Sequence, residues 1–189
     1  KYKMKKYIYT VILVLISITM AKAQRMLPKQ KGLEVNVGIL SDDKIGNDYF
    51  INIGMTVNVK NGNYQILALE YTHQYYDYKD LRIPQETYTA EGGYSLFLLG
   101  DALKNVTLNA AITGIAGYES INRGGDLLYD GAKILSEDNF IYGAGGRLTI
   151  ETYLSDQLVI ILQGRTKVLW GTDLEQFRPS AGVGLRFNF

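Results

Sequence analysis

Cysteine is absent from the 189 residues. That excludes a disulfide framework, a thiolate metal site, a cysteine nucleophile and a lipoprotein cysteine. Histidine occurs once, at His73. A multi-histidine metal centre is therefore excluded, and a Ser-His-Asp triad would depend on that one residue. Tryptophan occurs once and proline three times, against 15 tyrosines and 20 glycines. Tyrosine and glycine enrichment favours strands with tight turns over helices. With 47% hydrophobic and 21% charged residues, the chain is neither disordered nor of low complexity. Its length fits about one domain.

Near the N-terminus, Lys1, Lys3, Lys5 and Lys6 precede the apolar run Val11-Ile12-Leu13-Val14-Leu15-Ile16, and Ala21-Lys22-Ala23 follows. A basic segment, a short apolar run and an A-x-A site together read as a secretory signal. The alternative is a membrane anchor, for which the run is short. Residues 1–23 are read as the signal peptide, with 1–3 an extension upstream of a natural start at Met4. Cleavage after Ala23 makes Gln24 the first mature residue and 24–32 a short periplasmic segment. It removes five of the 20 basic residues (Lys1, Lys3, Lys5, Lys6, Lys22) and none of the 19 acids, leaving a net charge of −4. A basic face for direct nucleic-acid binding is not expected.

After the signal no stretch approaches ~18 consecutive apolar residues, so no helical span is expected. The repeated pattern is alternation. Leu33, Val35, Val37 and Ile39 are apolar, with Glu34, Asn36 and Gly38 between them. The same period of two recurs through the chain, giving each segment one apolar and one polar face. It predicts eight strands, at 33–40, 49–59, 64–76, 86–99, 105–118, 139–153, 157–169 and 179–189. Lys60 to Asn63, Gly100 to Lys104 and Leu154 to Asp156 read as short turns. Ser41 to Asp48, Asp77 to Gln85, Glu119 to Asp138 and Trp170 to Arg178 read as longer loops. Short turns at one end and long loops at the other are the pattern of an outer-membrane barrel. The expected fold is all-β: an eight-stranded antiparallel up-and-down transmembrane barrel over 33–189. An even strand count puts both termini on the short-turn, periplasmic side and the loops outside.

A soluble lipocalin-like barrel or sandwich would show the same alternation with the apolar phase turned inward. Three features favour the membrane version. Strands of ~10–14 residues suit a tilted span. The polar phase carries charges at mid-strand. Aromatics gather near strand ends on the apolar phase, with Tyr49, Tyr71, Tyr75, Tyr118, Tyr142 and Trp170 toward the loops and Tyr153, Phe187 and Phe189 toward the turns. Two such girdles mark the two membrane interfaces. The last strand ends on Leu185, Phe187 and Phe189, all on one face. A terminal phenylalanine closing an alternating strand resembles the signal read by the bacterial barrel-insertion machinery.

Several blocks carry a family resemblance. They are Met4-Lys5-Lys6-Tyr7 through Ala23-Gln24-Arg25-Met26-Leu27-Pro28 to Val35, Glu91-Gly92-Gly93-Tyr94 with Gly100-Asp101, Tyr129-Asp130-Gly131-Ala132-Lys133, Tyr142-Gly143-Ala144-Gly145-Gly146, and Phe177-Arg178-Pro179-Ser180-Ala181-Gly182-Val183-Gly184. Their order resembles the TraO family of conjugal transfer proteins of Bacteroides-type conjugative transposons, over nearly the whole mature chain. The resemblance implies a part in the mating apparatus at the donor's outer membrane, with other conjugation proteins as partners. It implies no catalytic residues.

The polar phase carries Glu34, Glu70, Glu91 and Glu151 against Arg147, Arg165, Lys167 and Arg186. An ~8-strand barrel is just wide enough for side chains to fill its interior. Buried charges there must be paired, so these eight residues read as a structural salt-bridge cluster. Glu70, Glu91, Arg147 and Arg165 are expected to meet. A general acid/base pair such as Glu70 with Glu91 is the sharper alternative, but no nucleophile accompanies it. His73 lies on the apolar phase, with Thr72 pointing to the opposite face, a poor arrangement for nucleophilic catalysis. Gly143-Ala144-Gly145-Gly146 sits inside a strand and precedes no helix, so it is no phosphate loop. Asp42, Asp43 and Asp48 lack regular calcium-ligand spacing. No cofactor or metal is expected. The loop Glu119 to Asp138 is long enough to be functional. The expected function is a non-enzymatic outer-membrane component of the mating apparatus, surrounded by outer-membrane lipid or lipopolysaccharide. The alternative is a barrel enzyme modifying lipid or peptide.

Overall fold

The computed structural model describes residues 26–40, 48–78, 81–121, 139–172 and 174–189. The signal-peptide reading, with Ala21, Ala23 and Gln24 at its cleavage site, lies outside them. So do Asp42, Asp43 and most of the 119–138 loop.

Eight strands are present: β1 (Lys31–Leu40), β2 (Tyr49–Asn58), β3 (Tyr64–Tyr78), β4 (Leu81–Gly100), β5 (Val106–Ile121), β6 (Asn139–Tyr153), β7 (Leu158–Trp170) and β8 (Phe177–Asn188). Each pairs antiparallel with its sequence neighbours, and β1 pairs with β8 to close the barrel. Closure leaves no free edge.

Alternation now acquires a direction. Along β1, Leu33, Val35, Val37 and Ile39 face outward, while Glu34 and Asn36 are buried inside. The outward phase of the other strands repeats this with Ile51, Ile53, Leu67, Leu69, Ile112, Leu148, Leu162 and Leu185, all exposed. An apolar belt around a polar interior is the inverse of a soluble barrel and fits a lipid surround. Tyr49, Tyr75, Tyr118, Tyr142 and Trp170 stand exposed toward the loop end, and Phe187 and Phe189 toward the turn end. Tyr153 departs from expectation. It is buried inside, packed with Val159 and Ile161, because it shares the parity of Glu151.

The turns are made locally. Between β2 and β3, Asn61 and Gly62 take left-handed φ of 64° and 80°, the conformation a tight reversal needs. Between β4 and β5, the Asp101 carboxylate accepts the Val106 N–H at 2.8 Å and the Asn105 side-chain amide at 3.0 Å. Between β6 and β7, Ser155 Oγ accepts the Leu158 N–H at 2.9 Å. Met26 packs on the Tyr153 cluster at this mouth.

The loop end differs from the sequence reading. The long connection expected at Asp77 to Gln85 is largely paired, with Tyr75 opposite Pro84 and Asp77 opposite Arg82. Pro84 fits for a geometric reason. The Tyr75 N–H turns away from β4 to the Asp48 carboxylate, at 2.9 Å. The Tyr75–Pro84 pair is therefore a non-hydrogen-bonded one, and the proline nitrogen faces the β5 side. Among the described residues the β4–β5 ladder ends at Gln85 opposite Ile121, so Pro84 costs no ladder bond among them. Strand β5 likewise runs to Ile121 rather than 118, and β8 begins at Phe177 rather than 179.

Candidate functional site

The polar phase of all eight strands converges on the lumen. Glu34, Glu70, Glu91, Glu151, Arg147, Arg165, Lys167 and Arg186 are all buried there. They divide into two ion-paired groups.

The turn-side group centres on Arg186 of β8. Its guanidinium donates to Glu34 from Nε at 3.0 Å and Nη2 at 2.8 Å, and to Glu151 from Nη1 and Nη2 at 2.9 Å each. Its Cζ lies 4.4 Å from the centre of the Tyr64 ring. The Tyr64 hydroxyl donates to Glu151 at 2.5 Å. Arg147 reaches Glu34 through Nη1 at 2.9 Å. The middle group centres on Glu70 of β3, which takes Arg165 at 2.6 Å and Lys167 at 2.7 Å. Lys167 also pairs with Glu91. Glu70, Glu91 and Arg165 therefore belong together, but Arg147 joins Glu34 instead. Two asparagines bridge the groups. Asn36 donates to Glu34 at 2.7 Å and to Asn52 at 3.2 Å, and Asn52 donates to Glu70 at 3.3 Å.

A third group lies toward the loop end. Glu119 of β5 accepts from Arg178 at 2.7 Å, from Gln85 at 2.5 Å and from the Thr172 hydroxyl at 2.6 Å. Sequence reasoning placed Glu119 and Arg178 in loops and missed them. The signal was available, because Glu119 keeps the inward parity of Thr113 and Ile115.

Packing around the middle group is close. Phe50 lies inside, 4.1 Å from the Arg165 Cζ. Its ring occupies space left by two glycines, since a Cβ at Gly38 or Gly182 would stand 2.6 or 2.7 Å from Phe50 Cζ. Between the middle and loop-side groups a cavity of ≈ 20 Å³ remains, lined by Thr72, Thr87, Arg165 and Arg178 among others, room for about one water. Phe50, Glu70, Lys167 and Leu169 also line it. Neutralisation is nearly complete, as burial demands: an unpaired charge there costs several kcal/mol.

The acid/base alternative receives nothing from this geometry. Glu70 and Glu91 are held by the ammonium of Lys167. His73 lies on the outward face, 8% exposed, stacked on Tyr49 at 5.5 Å and edge-on to Tyr75 at 4.7 Å. The Thr72 hydroxyl points into the lumen and donates to Glu70 at 3.1 Å. Gly143-Ala144-Gly145-Gly146 lies within β6. Among the described residues no cluster of three or more His, Cys, Asp or Glu is arranged to hold a metal.

Leu185, Phe187 and Phe189 face outward, Phe189 at 64% exposure. The Phe189 backbone is tied to Lys31 by bonds of 2.8 and 3.1 Å.

The barrel is similar to Neisserial surface protein A, with a TM-score of 0.62 and 10% identity over 85% of this chain and 97% of that one. It is also similar to Ail, the attachment invasion locus protein of Yersinia pestis, with a TM-score of 0.55 and 11% identity over 86% and 100%. At such identities the likeness is one of fold, the outer-membrane type of eight-stranded barrel. None of the curated protein sequences matches the chain. The model of the family described as conjugative transposon protein TraO matches residues 27–189, all eight strands included, and the chain belongs to that family.

Proposed function

We propose that this barrel is a non-enzymatic outer-membrane component of a conjugative-transposon DNA-transfer apparatus, working as a scaffold, docking site or surface-contact protein. The observation that carries the reading is the filled lumen. Five carboxylates (Glu34, Glu70, Glu91, Glu119, Glu151) meet five cations (Arg147, Arg165, Lys167, Arg178, Arg186) inside. Such an interior serves neither as a substrate pocket nor as a route for DNA. The working surfaces are then the loops, the turns and the outer belt. The short-turn and long-loop asymmetry supports periplasmic termini and extracellular loops. The outward Leu185, Phe187 and Phe189 support recognition by the barrel-insertion machinery during assembly. Other conjugation proteins are the expected partners, with no direct contact to nucleic acid.

Transfer frequency tests this. Donors lacking the protein should fail to transfer the element, and both the wild type and His73→Ala should restore transfer. Undiminished transfer without the protein would refute the apparatus role. Failure of a correctly assembled His73→Ala variant would revive the enzyme reading.

A further inference from the structure

The outer belt is not uniform. Register places Tyr71, Tyr88, Tyr118 and Phe140 side by side across β3 to β6. One step toward the turn end, the positions on β4 and β5 are Ala90 and Ala116, directly paired. One step further they are Gly92 and Gly114, also paired. Here the belt sinks, and a groove of ≈ 650 Å³ lies over Ala90 and Ala116, between Leu69 and Phe140. Its walls protrude: Leu69 is 68% exposed and Phe140 67%. Beyond the glycines on the turn side stands Ile112, 76% exposed. The volume is that of a ligand site.

The two glycines here differ from those in the lumen. A Cβ at Gly92 would meet nothing within 4 Å, and one at Gly114 would meet only the Gly92 carbonyl oxygen at 3.9 Å. Neither has a positive φ. Neither the backbone nor internal packing requires glycine at these two places, so the recess is a property of the outer surface alone.

We propose that this groove seats one acyl chain of a membrane lipid from the loop-side leaflet. The proposal rests on the membrane-spanning fold and is independent of the conjugation role. Two features select the occupant. First, the groove opens outward from within the lipid-facing belt, so hydrocarbon is what surrounds it. Second, it is bounded toward the loops by the aromatic row, and the next outward pair beyond the glycines toward the turns is the bulky Tyr94 with Ile112. A membrane-spanning protein segment must run past both ends of the belt and would ride over these walls. A lipid tail ends within the bilayer and fits the recess. The tyrosine row places amphipathic rings where the chain enters, at the level that tyrosine prefers in a bilayer.

Native mass spectrometry of the full barrel, released from phosphatidylethanolamine vesicles, provides the test. One lipid should remain on the wild type at collision energies that strip the rest. A groove-filling variant, Gly92→Leu with Gly114→Leu and Ala116→Leu, should lose that last lipid while keeping the gel mobility of a folded barrel. Equal retention by both proteins would overturn the proposal. In the wild type, a phosphatidylethanolamine carrying a diazirine in its tail should label β4 and β5 peptides around Ala90 and Ala116 at least several-fold above the rest of the belt. Uniform labelling would overturn the proposal whether or not the variant folds. So would a photo-crosslinker at position 116 that captures a protein in donor membranes and no lipid.

Discussion

Replacing Glu34 by glutamine removes one charge from the turn-side lumen group and leaves its shape nearly unchanged. In the wild type this group balances two carboxylates against two guanidiniums. After Glu34→Gln, Arg186 keeps Glu151 through two bonds of 2.9 Å. Arg147 keeps no carboxylate among the described residues. Its Nη1 ion pair was with Glu34, its contact with Gln163 is long at 3.5 Å, and Nε and Nη2 have no partner. A stranded buried charge costs ~3–5 kcal/mol. Arg147→Met alone is milder, because Glu34 retains Arg186 and the Asn36 amide. A cost of ~1–3 kcal/mol is expected, that of a lost charge-assisted bond. The double variant removes both partners and should cost less than the sum of the singles by ~1–3 kcal/mol. Urea unfolding of barrels folded into phosphatidylcholine vesicles measures all four corners, with heat-modifiable gel mobility reporting the folded fraction. Additive single and double variants would refute the pairing.

Three further outcomes follow from the same geometry. Arg186→Lys should cost ~2–4 kcal/mol, since an ammonium cannot replace the four-bonded planar fork over Tyr64, whereas Arg147→Lys, with one carboxylate contact to replace, should cost under ~1 kcal/mol; equal costs by urea unfolding would contradict the contact pattern. Phe189→Asp should lower the amount of assembled barrel in outer-membrane fractions. The charge costs at most ~1 kcal/mol near an interface, so the loss should come from failed insertion and not from folded-state stability; normal assembly would refute this. In the β4–β5 turn, the backbone N–H of Val106 holds the Asp101 carboxyl below its ordinary value of 3.8. A lowered carboxylate contributes its turn contact above the unfolded value and loses it as pH falls through the folded one. The Val106 amide resonance should therefore stay constant at neutral pH and titrate with a midpoint below pH 3.8; a midpoint above it would contradict the contact.

Much of the architecture was legible in the sequence because a period of two survives at every strand. Leu33 to Ile39 and Val183 to Phe187 mark an apolar face without reference to any partner. What period two does not give is which phase points inward. The charges settled that: Glu34, Glu70, Arg147 and Arg186 cannot face hydrocarbon. Strand ends were less legible at the loop end. There β3 and β4 stay paired through Pro84, a residue that argues against a strand unless its nitrogen faces an unpaired side. The same shortening of β5 hid Glu119 from the lumen set. Pairings across the lumen were the least legible. Which glutamate meets which arginine depends on strand tilt and stagger. Counting residues along upright strands put Arg147 beside Glu70, while the closed barrel puts it beside Glu34.

The central claim is that paired charges fill the interior, so that the barrel acts through its outer surfaces. Conductance across a planar bilayer tests it most directly. The reconstituted wild-type barrel should show no steady ion current over hours of recording. A large, steady conductance from folded, heat-modifiable protein would show an open lumen and contradict the account.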